Sequence, residues 1–241
     1  MHRSPILAAL LLAACSGGAT STLSLSARNA ATDPQPAATS GIALTRVRIA
    51  LEKIELRSRD GDSRAEIAVG PVIIDLSSAD LDGRVHKVFD STVPAGTYDK
   101  IEFEMHPLER ATTAAGADDL VKQHASAIIE GTFDGQPFSF VSAIEAEQEF
   151  EGSFVVTDKS SNVTFDVDTS KWFVENGAAL DPRDPANRAA IEDNLRNSIK
   201  AFQDDDGVGH ENHDDDGDDH GGNSGPGGGD GGGSDDGSGH H

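Results

Sequence analysis

Apolar and polar residues alternate over several short segments of the chain, and this two-residue period is typical of β-strands with one buried face. In the segment 101–106, Ile, Phe and Met alternate with Glu, Glu and His. A further strand is predicted for 72–76. Two hairpins are predicted, one formed by 127–133 and 138–141 around Asp134-Gly135, and one formed by 150–156 and 163–167.

The longest apolar-rich segment, 42–56, does not keep a single period. Its apolar residues change phase after Leu44 and again after Leu51. A regular strand would then turn its apolar side chains to opposite faces. We therefore expect a bulge, a break, or burial on both faces at these two points.

A helix is predicted for 185–202, near the end of the apolar-rich part of the chain. Asp184 can cap this helix and Pro185 suits its first turn. The apolar residues that share one face at helical spacing are Ile191, Leu195, Ile199 and Phe202. A weaker helical pattern covers 118–124. Many short strands with one C-terminal helix indicate a mainly-β fold, a single antiparallel β-sandwich.

Composition divides the chain after the leader into three parts. Residues 15–40 are rich in Ser, Thr, Ala, Gly and Pro, whereas residues 204–241 are mostly Asp, Gly, His, Ser and Asn. Neither part holds enough large apolar residues to offset the entropy of ordering. We therefore predict a flexible tether over 15–40, one β-sandwich domain over 41–203, and a disordered acidic tail over 204–241.

Residues 1–14 have the layout of a secretory signal peptide, with a basic start, a short apolar run and small residues before Cys15. The sequence Leu-Ala-Ala-Cys that ends at Cys15 resembles the lipobox of bacterial lipoproteins. This resemblance implies cleavage before Cys15 and acylation of its sulfur, which anchors the protein to a membrane. Ser16 stands where an aspartate would signal inner-membrane retention, which implies the outer membrane of a Gram-negative bacterium. The alternative is an ordinary secreted protein cleaved near Ala14, whose single thiol would be open to oxidation.

The net charge of the chain limits the classes of partner that it can bind. It carries 42 acidic and 19 basic residues, a formal net charge of −23. Nucleic-acid binding needs a basic footprint, so no nucleic-acid partner is expected. Signatures of hydrolases, phosphate-binding loops and zinc proteases are missing from the sequence, and we expect no enzymatic activity. Glu102, Glu104 and the acids of 145–151 are interpreted as solvated strand faces, with acid–base catalysis as the alternative.

The acidic tail holds the clearest metal-binding pattern. Asn212, Asp214, Asp216 and Gly217 match the opening of an Asp-x-Asp-x-Asp-Gly calcium loop, although Asn223 stands where a bidentate Glu is wanted. The candidate ligands of calcium or zinc are His210, Asn212, His213, Asp214, Asp216, Asp218 and His220. The alternative is a solubilising polyanion that collects cations diffusely and holds no cofactor.

Three segments, 47–56, 72–76 and 93–103, resemble a family of bacterial envelope lipoproteins catalogued as a domain of unknown function. The resemblance covers about residues 41–171. Its part Pro-Ala-Gly-Thr-Tyr, 94–98, is also similar to the turn and strand of prealbumin-like and carboxypeptidase-regulatory-like sandwiches, which implies a Greek-key β-sandwich. Pro94 presets the turn, Gly96 permits positive φ, and the Tyr98 hydroxyl can reach backbone near the corner. No catalytic residue follows from this resemblance.

These patterns predict a lipid-anchored protein of the cell envelope that acts as a non-catalytic binding or structural module. Its partner would be an envelope protein or a polysaccharide. Trp172 and Tyr98 are the only Trp and Tyr of the chain, and we expect Trp172 to fill the interior of the sandwich rather than to form a sugar-binding platform. The alternative function is divalent-metal binding through the acidic, His-containing tail.

Overall fold

A computed structural model of the protein describes residues 20–31, 41–58, 64–67, 70–110, 112–157 and 161–212. In these ranges the strands are β1 Thr20–Asn29, β2 Ile42–Arg57, β3 Arg64–Glu66, β4 Val72–Ser77, β5 His86–Pro94, β6 Gly96–Met105, β7 Ala127–Phe133, β8 Gln136–Ser142, β9 Ala146–Val156, β10 Ser161–Val167, β11 Val174–Glu175, β12 Ala178–Ala179 and β13 Ile199–Gln203. The helices are α1 Ala117–Gln123 and α2 Arg188–Arg196, and short 3₁₀ turns cover Thr169–Lys171 and Pro185–Asn187. No helix in these ranges is long and apolar enough to cross a membrane.

Two of the three sheets in the described ranges enclose the main apolar core, and the third is the two-stranded ribbon of β11 and β12. A seven-stranded sheet has the order β8-β7-β2-β6-β9, with β3 and β4 also paired to β2, and a four-stranded sheet has the order β13-β10-β1-β5. The two sheets meet through side chains such as Phe103 of β6 and Phe165 of β10, whose rings pack edge to face with centroids 5.2 Å apart. This arrangement confirms the predicted mainly-β sandwich.

Strand β2 follows the two changes of phase that the sequence shows. Its pairing with β7 shifts register between Leu44 and Arg46, and its pairing with β6 shifts between Glu52 and Glu55. A bulge was one of the three alternatives expected from the apolar pattern at each of these points. Between them β2 is also buried on both faces, because Ile49 lies in the main core whereas Ala50 packs in a second apolar cluster beneath α1.

The second apolar cluster holds α1 and the segment that follows β6 against the sheet. Leu108 and Leu120 pack there with Ala50, Ile73 and Ile128. The predicted helical pattern over 118–124 is confirmed by α1. Packing of Leu108 fixes the residues around it, which form one wall of the groove described below.

Strand β1 overturns the prediction of a flexible tether over 15–40. Thr20–Asn29 forms a strand that pairs antiparallel with β5 and parallel with β10, so it is an inner strand of its sheet. Leu23 and Leu25 are fully buried in the core. The small polar residues between them suggested a linker, but they occupy the outer face, and the alternation of Leu, Ser, Leu, Ser and Ala is that of a strand. The parallel pair also departs from the expected all-antiparallel sandwich.

The predicted helix over 185–202 is shorter and is followed by a strand. Asp184 caps the chain as expected, accepting a hydrogen bond from the backbone N–H of Ala186 (2.9 Å). The helix α2 ends at Arg196, and 199–203 forms β13 paired antiparallel with β10. The apolar residues of 199–203 alternate, so that short run fits a strand as well as it fits the end of a helical stripe.

The first predicted hairpin is confirmed and the second is wrong. Strands β7 and β8 pair around Asp134 and Gly135, both with positive φ, as a two-residue hairpin turn of type I′ requires. In contrast, β9 pairs with β6 in one sheet and β10 pairs with β1 and β13 in the other. The chain therefore crosses between the sheets after β9, and alternation alone could not distinguish this crossing from a hairpin.

The two sheets are joined at one side by Gln203 of β13. Its side-chain Oε1 accepts a hydrogen bond from the backbone N–H of Val155 in β9 (2.5 Å), and its Nε2 donates to the Val155 carbonyl (3.0 Å). The side-chain amide thus offers β9 the donor and the acceptor that a neighbouring strand would offer.

A protein that begins at Gly41 is expected to lose the cooperative fold, because β5 and β10 lose the strand that joins them. Leu23 and Leu25 each contribute about 1.5–3 kcal/mol through burial, against a typical total stability of about 5–15 kcal/mol. The matched control begins at Ser16 and keeps β1. Near-UV circular dichroism and urea unfolding compare the two proteins, and equal transitions would contradict the role given to β1.

Candidate functional site

The predicted metal ligands divide between the described and the undescribed residues. His210 and Asn212 lie in the loop that follows β13 and are exposed. Cys15, His213, Asp214, Asp216, Asp218 and His220 lie outside the described residues. Within the ranges that the structure covers, no group of three or more His, Cys, Asp or Glu side chains is placed to hold a metal ion.

The first residues of the predicted disordered tail, 204–212, are instead folded onto the four-stranded sheet. Asp204 is fully buried. Its carboxylate accepts hydrogen bonds from the Thr164 hydroxyl (2.8 Å) and from the backbone N–H groups of Val208 (3.1 Å) and Gly209 (2.9 Å). An acid buried with this many donors orders the chain around it, which composition could not reveal.

Asn212, the first position of the predicted calcium loop, is engaged within the protein. Its side-chain Oδ1 accepts from the backbone N–H of Asp205 (3.1 Å), and its Nδ2 donates to the Asp205 carboxylate (2.9 Å). Its backbone N–H donates to the carbonyl of Gln203 (2.9 Å). The oxygen that would bind calcium is therefore occupied by an internal donor.

A groove of about 670 Å³ opens where β6 ends and β2 carries its second bulge. We call it the polar groove. Its walls are the bulge residues Glu52 and Lys53, Glu66 of β3, the pair Gly70-Pro71 before β4, and the segment 106–113 without residue 111. Carboxylates, a lysine, an arginine, an imidazole and hydroxyls thus line one concave surface.

Lys53 lies at the rim of the polar groove, and its backbone has a conformation that residues other than glycine seldom adopt. Its φ is +49°, in the left-handed region. The bulge of β2 imposes this conformation, because the extra residues in one strand have no partner opposite them in β6. Its Nζ binds both carboxylate oxygens of Glu104 (2.6 and 2.7 Å), and this hydrogen bonding raises the pKa of Lys53.

His106 lies directly after β6 on the same wall. Its Nε2 is 3.6 Å from a carboxylate oxygen of Glu145, which is itself exposed. Its Nδ1 is 3.1 Å from the carbonyl of Pro107. Sequence reasoning treated this histidine as an isolated strand-edge residue, because its acidic neighbour lies far away along the chain.

Next to the polar groove, three glutamates stand side by side on adjacent strands. Glu55 of β2 is opposite Glu102 of β6, and Glu102 is opposite Glu149 of β9. We call them the glutamate row. Glu55 and Glu102 are only 5% and 7% exposed, so the prediction of a solvated face is wrong for Glu102. It is confirmed for Glu145, Glu147, Glu149 and Glu151, all of which are exposed.

Basic side chains from the same face compensate the glutamate row. Arg57 is 2.7 Å from Glu102 and 3.2 Å from Glu55, and Arg64 also contacts Glu55. Lys100 is 2.7 Å from Glu149. These side chains cover the two inner glutamates, which explains the burial that alternation along one strand could not predict.

The pKa values of Glu102 and Glu149 are shifted in opposite directions. Burial raises the pKa of Glu102, Arg57 opposes this shift, and a hydrogen bond with Glu149 adds to it. The pKa of Glu149 is lowered, chiefly by the hydrogen bond from Lys100 and further by the one with Glu102. The directions of the two shifts therefore favour Glu102 over Glu149 as the carrier of a proton shared by this pair.

The two large aromatic residues singled out by sequence are both in the interior. Trp172 is fully buried and its Nε1 donates to the Ser198 hydroxyl (2.5 Å). Tyr98 is also buried, and its hydroxyl donates to the carbonyl of Pro94 (2.9 Å). Both expectations are confirmed, although Gly96 begins β6 without a positive φ.

No protein-family model and no curated protein matches this chain. Among solved structures, MbnP from Methylosinus trichosporium is similar, with a TM-score of 0.40 and 12% sequence identity. The similarity covers 77% of this chain and 99% of that chain. A likeness at this level does not indicate a shared function.

Replacing Glu102 with Gln removes a carboxyl group whose pKa is raised in the folded state. Because the folded state holds this proton more tightly than the unfolded state, the wild type is expected to lose stability relative to Glu102→Gln as the pH rises above the ordinary value of 4.5. The physical cause is the burial of a charge that Gln does not carry.

Glu149→Gln is the matched variant, for which the stability difference from the wild type should change with pH in the opposite direction. The pKa of Glu149 lies below its ordinary value of 4.5, so the wild type gains stability relative to this variant as the pH rises towards that value. Urea unfolding of the three proteins between about pH 3 and pH 7 measures both differences. The same sign of pH dependence for both variants would contradict a proton held on Glu102.

Proposed function

We propose that this protein is a lipid-anchored module of the cell envelope that binds a partner in the polar groove and catalyses no reaction. The anchor is lipid on Cys15, and the location is the outer membrane of a Gram-negative bacterium. The leader over 1–14 and the single cysteine directly after it support this anchor. The sandwich provides a rigid frame for a binding surface.

The observation that carries the proposal is the strained backbone of Lys53 at the rim of the groove. A glycine would adopt the left-handed conformation without strain, yet this position keeps a long cationic side chain held by Glu104. Bulges of this kind often re-aim a side chain next to a binding site, and strain of this kind persists where function uses it. Lys53 is therefore the residue we expect to contact the partner.

The chemistry of the groove favours an envelope protein over a polysaccharide as the partner. Charges of both signs line it, from Glu52, Lys53, Glu109 and Arg110, and they suit a polypeptide that carries both signs. The Trp and the Tyr of the chain are buried, so neither offers the exposed ring on which sugars stack. In the test below, an adduct with a polysaccharide instead of a protein would favour a polysaccharide partner.

A photo-crosslinking amino acid at Glu109, in the groove, is expected to give a discrete protein adduct in the native host. The matched control carries the same amino acid at Thr97, which is exposed at the opposite end of β6. Adding Lys53→Gly should weaken the Glu109 adduct without lowering the melting temperature, because glycine relieves the strain at that position. Equal adducts at both positions, or none at Glu109, would contradict a binding role of the groove.

Metal binding through the tail is the second candidate function, and the fold reduces the number of side chains that could serve as ligands. The side chain of Asn212 already makes internal hydrogen bonds with Asp205. The candidate ligands are therefore the other six predicted residues, namely His210, which is exposed, and His213, Asp214, Asp216, Asp218 and His220. The observation that favours this function is the fixed position of Asn212, after which all of these residues except His210 follow.

Calorimetric titration with calcium and with zinc tests the metal function on the mature chain and on a chain that ends at Asn212. If the tail binds metal, saturable binding appears in the first protein and is absent from the second. Truncation at Asn212 keeps the loop that Asp204 organises, so both proteins should unfold at the same urea concentration. Binding retained by the shortened chain, or absent from the full chain, would contradict metal handling by the tail.

A further inference from the structure

One end of the sandwich is marked by the start of β1. Thr20 is opposite Pro94, the last residue of β5, and β6 begins two residues later at Gly96, which is opposite Val156 of β9. We call the set Thr20–Thr22, Thr92–Thr97 and Val155–Thr157 the anchor end. The polar groove lies near the other end, because its wall at His106 directly follows the last residue of β6.

The chain between the lipidation site and the anchor end is short. Thr20 follows Cys15 by five residues, and five residues span at most about 17 Å when fully extended. The flexible tether expected over 15–40 would have allowed the domain to stand much farther from the membrane. Because β1 begins at Thr20, the short covalent connection to Cys15 does not allow the domain to stand that far from the membrane.

We infer that the anchor end rests against the surface of the bilayer that holds the lipid of Cys15, and that the polar groove faces away from it. This inference rests on the lipid anchor of the proposed function. Strand β6 spans about 30 Å from Gly96 to Met105. With β6 along the bilayer normal, the groove wall at His106 is presented at up to about that height above the headgroups, where a partner in the envelope can reach it.

The composition of the anchor end fits a neutral headgroup surface. Its described strand and turn residues are mainly Thr, Ser, Val, Pro, Ala and Gly, and none of them is Lys or Arg. The loop that follows β13 lies beside Val155 and adds the acidic residues Asp205 and Glu211. Val155 is 37% exposed there and is one of two large apolar side chains exposed in the described ranges. Small hydroxyl-bearing residues with an exposed valine can approach zwitterionic headgroups at little cost, whereas the acidic side chains beside Val155 would be repelled by anionic headgroups.

The test attaches the mature chain through its single thiol. Protein that begins at Cys15 is coupled to a maleimide phospholipid in phosphatidylcholine nanodiscs that contain a lipid with a paramagnetic headgroup. Methyl relaxation is then measured. The expected result is a several-fold larger enhancement for Val155 and Val156, at the anchor end, than for Leu108, beside the groove.

The matched control carries about 25 Gly and Ser residues between Cys15 and Thr20, which restores the reach of a long tether. In this control the enhancement at Val155 should fall to the level of Leu108. Equal enhancements in the unmodified chain, or a larger one at Leu108, would overturn the inference and leave the lipid anchor standing. Mass spectrometry of the protein from its native host decides the anchor separately, since an unmodified Cys15 would overturn the anchor and the orientation together.

Discussion

The pairing of β1 with two neighbours is the constraint on which the rest of this structure depends. Its backbone joins β5 on one side and β10 on the other, and its leucines fill the core between the sheets. Without it the four-stranded sheet would separate into a single strand and a pair. Because β1 begins at Thr20, five residues after Cys15, the same strand that closes the core also limits how far the folded domain can stand from that cysteine.

Sequence patterns were most reliable where they reported a local conflict. The two phase changes in β2 required an irregularity at Leu44 and Leu51, since no regular strand can bury both sets of apolar side chains on one face. The turn at Asp134-Gly135 was equally local, because positive φ at both residues suits few other structures. These features could be predicted because their cause lies within a few residues of their effect.

Predictions failed where the deciding partner was distant along the chain. β1 looked like a linker because its outer residues are small and polar, and only its two strand neighbours show that its inner residues are core. The sequence of β13 fits the end of a helix, and only its pairing with β10 shows that it is a strand. For the candidate site, alternation placed Glu102 on the correct face, but burial of Glu102 comes from Arg57 on another strand. The phase change after Leu51 is a sequence signal for the strained backbone at Lys53. No sequence signal shows that Lys53 lies beside a groove.

The amide of Gln203 has a consequence for association between molecules. Strands β9 and β13 end their respective sheets, and free strand edges are templates on which another chain can add. By offering Val155 both a donor and an acceptor, Gln203 occupies part of the β9 edge with a side chain, which cannot propagate a ladder. Gln203, which joins the two sheets, therefore also limits edge-to-edge association of this protein through β9.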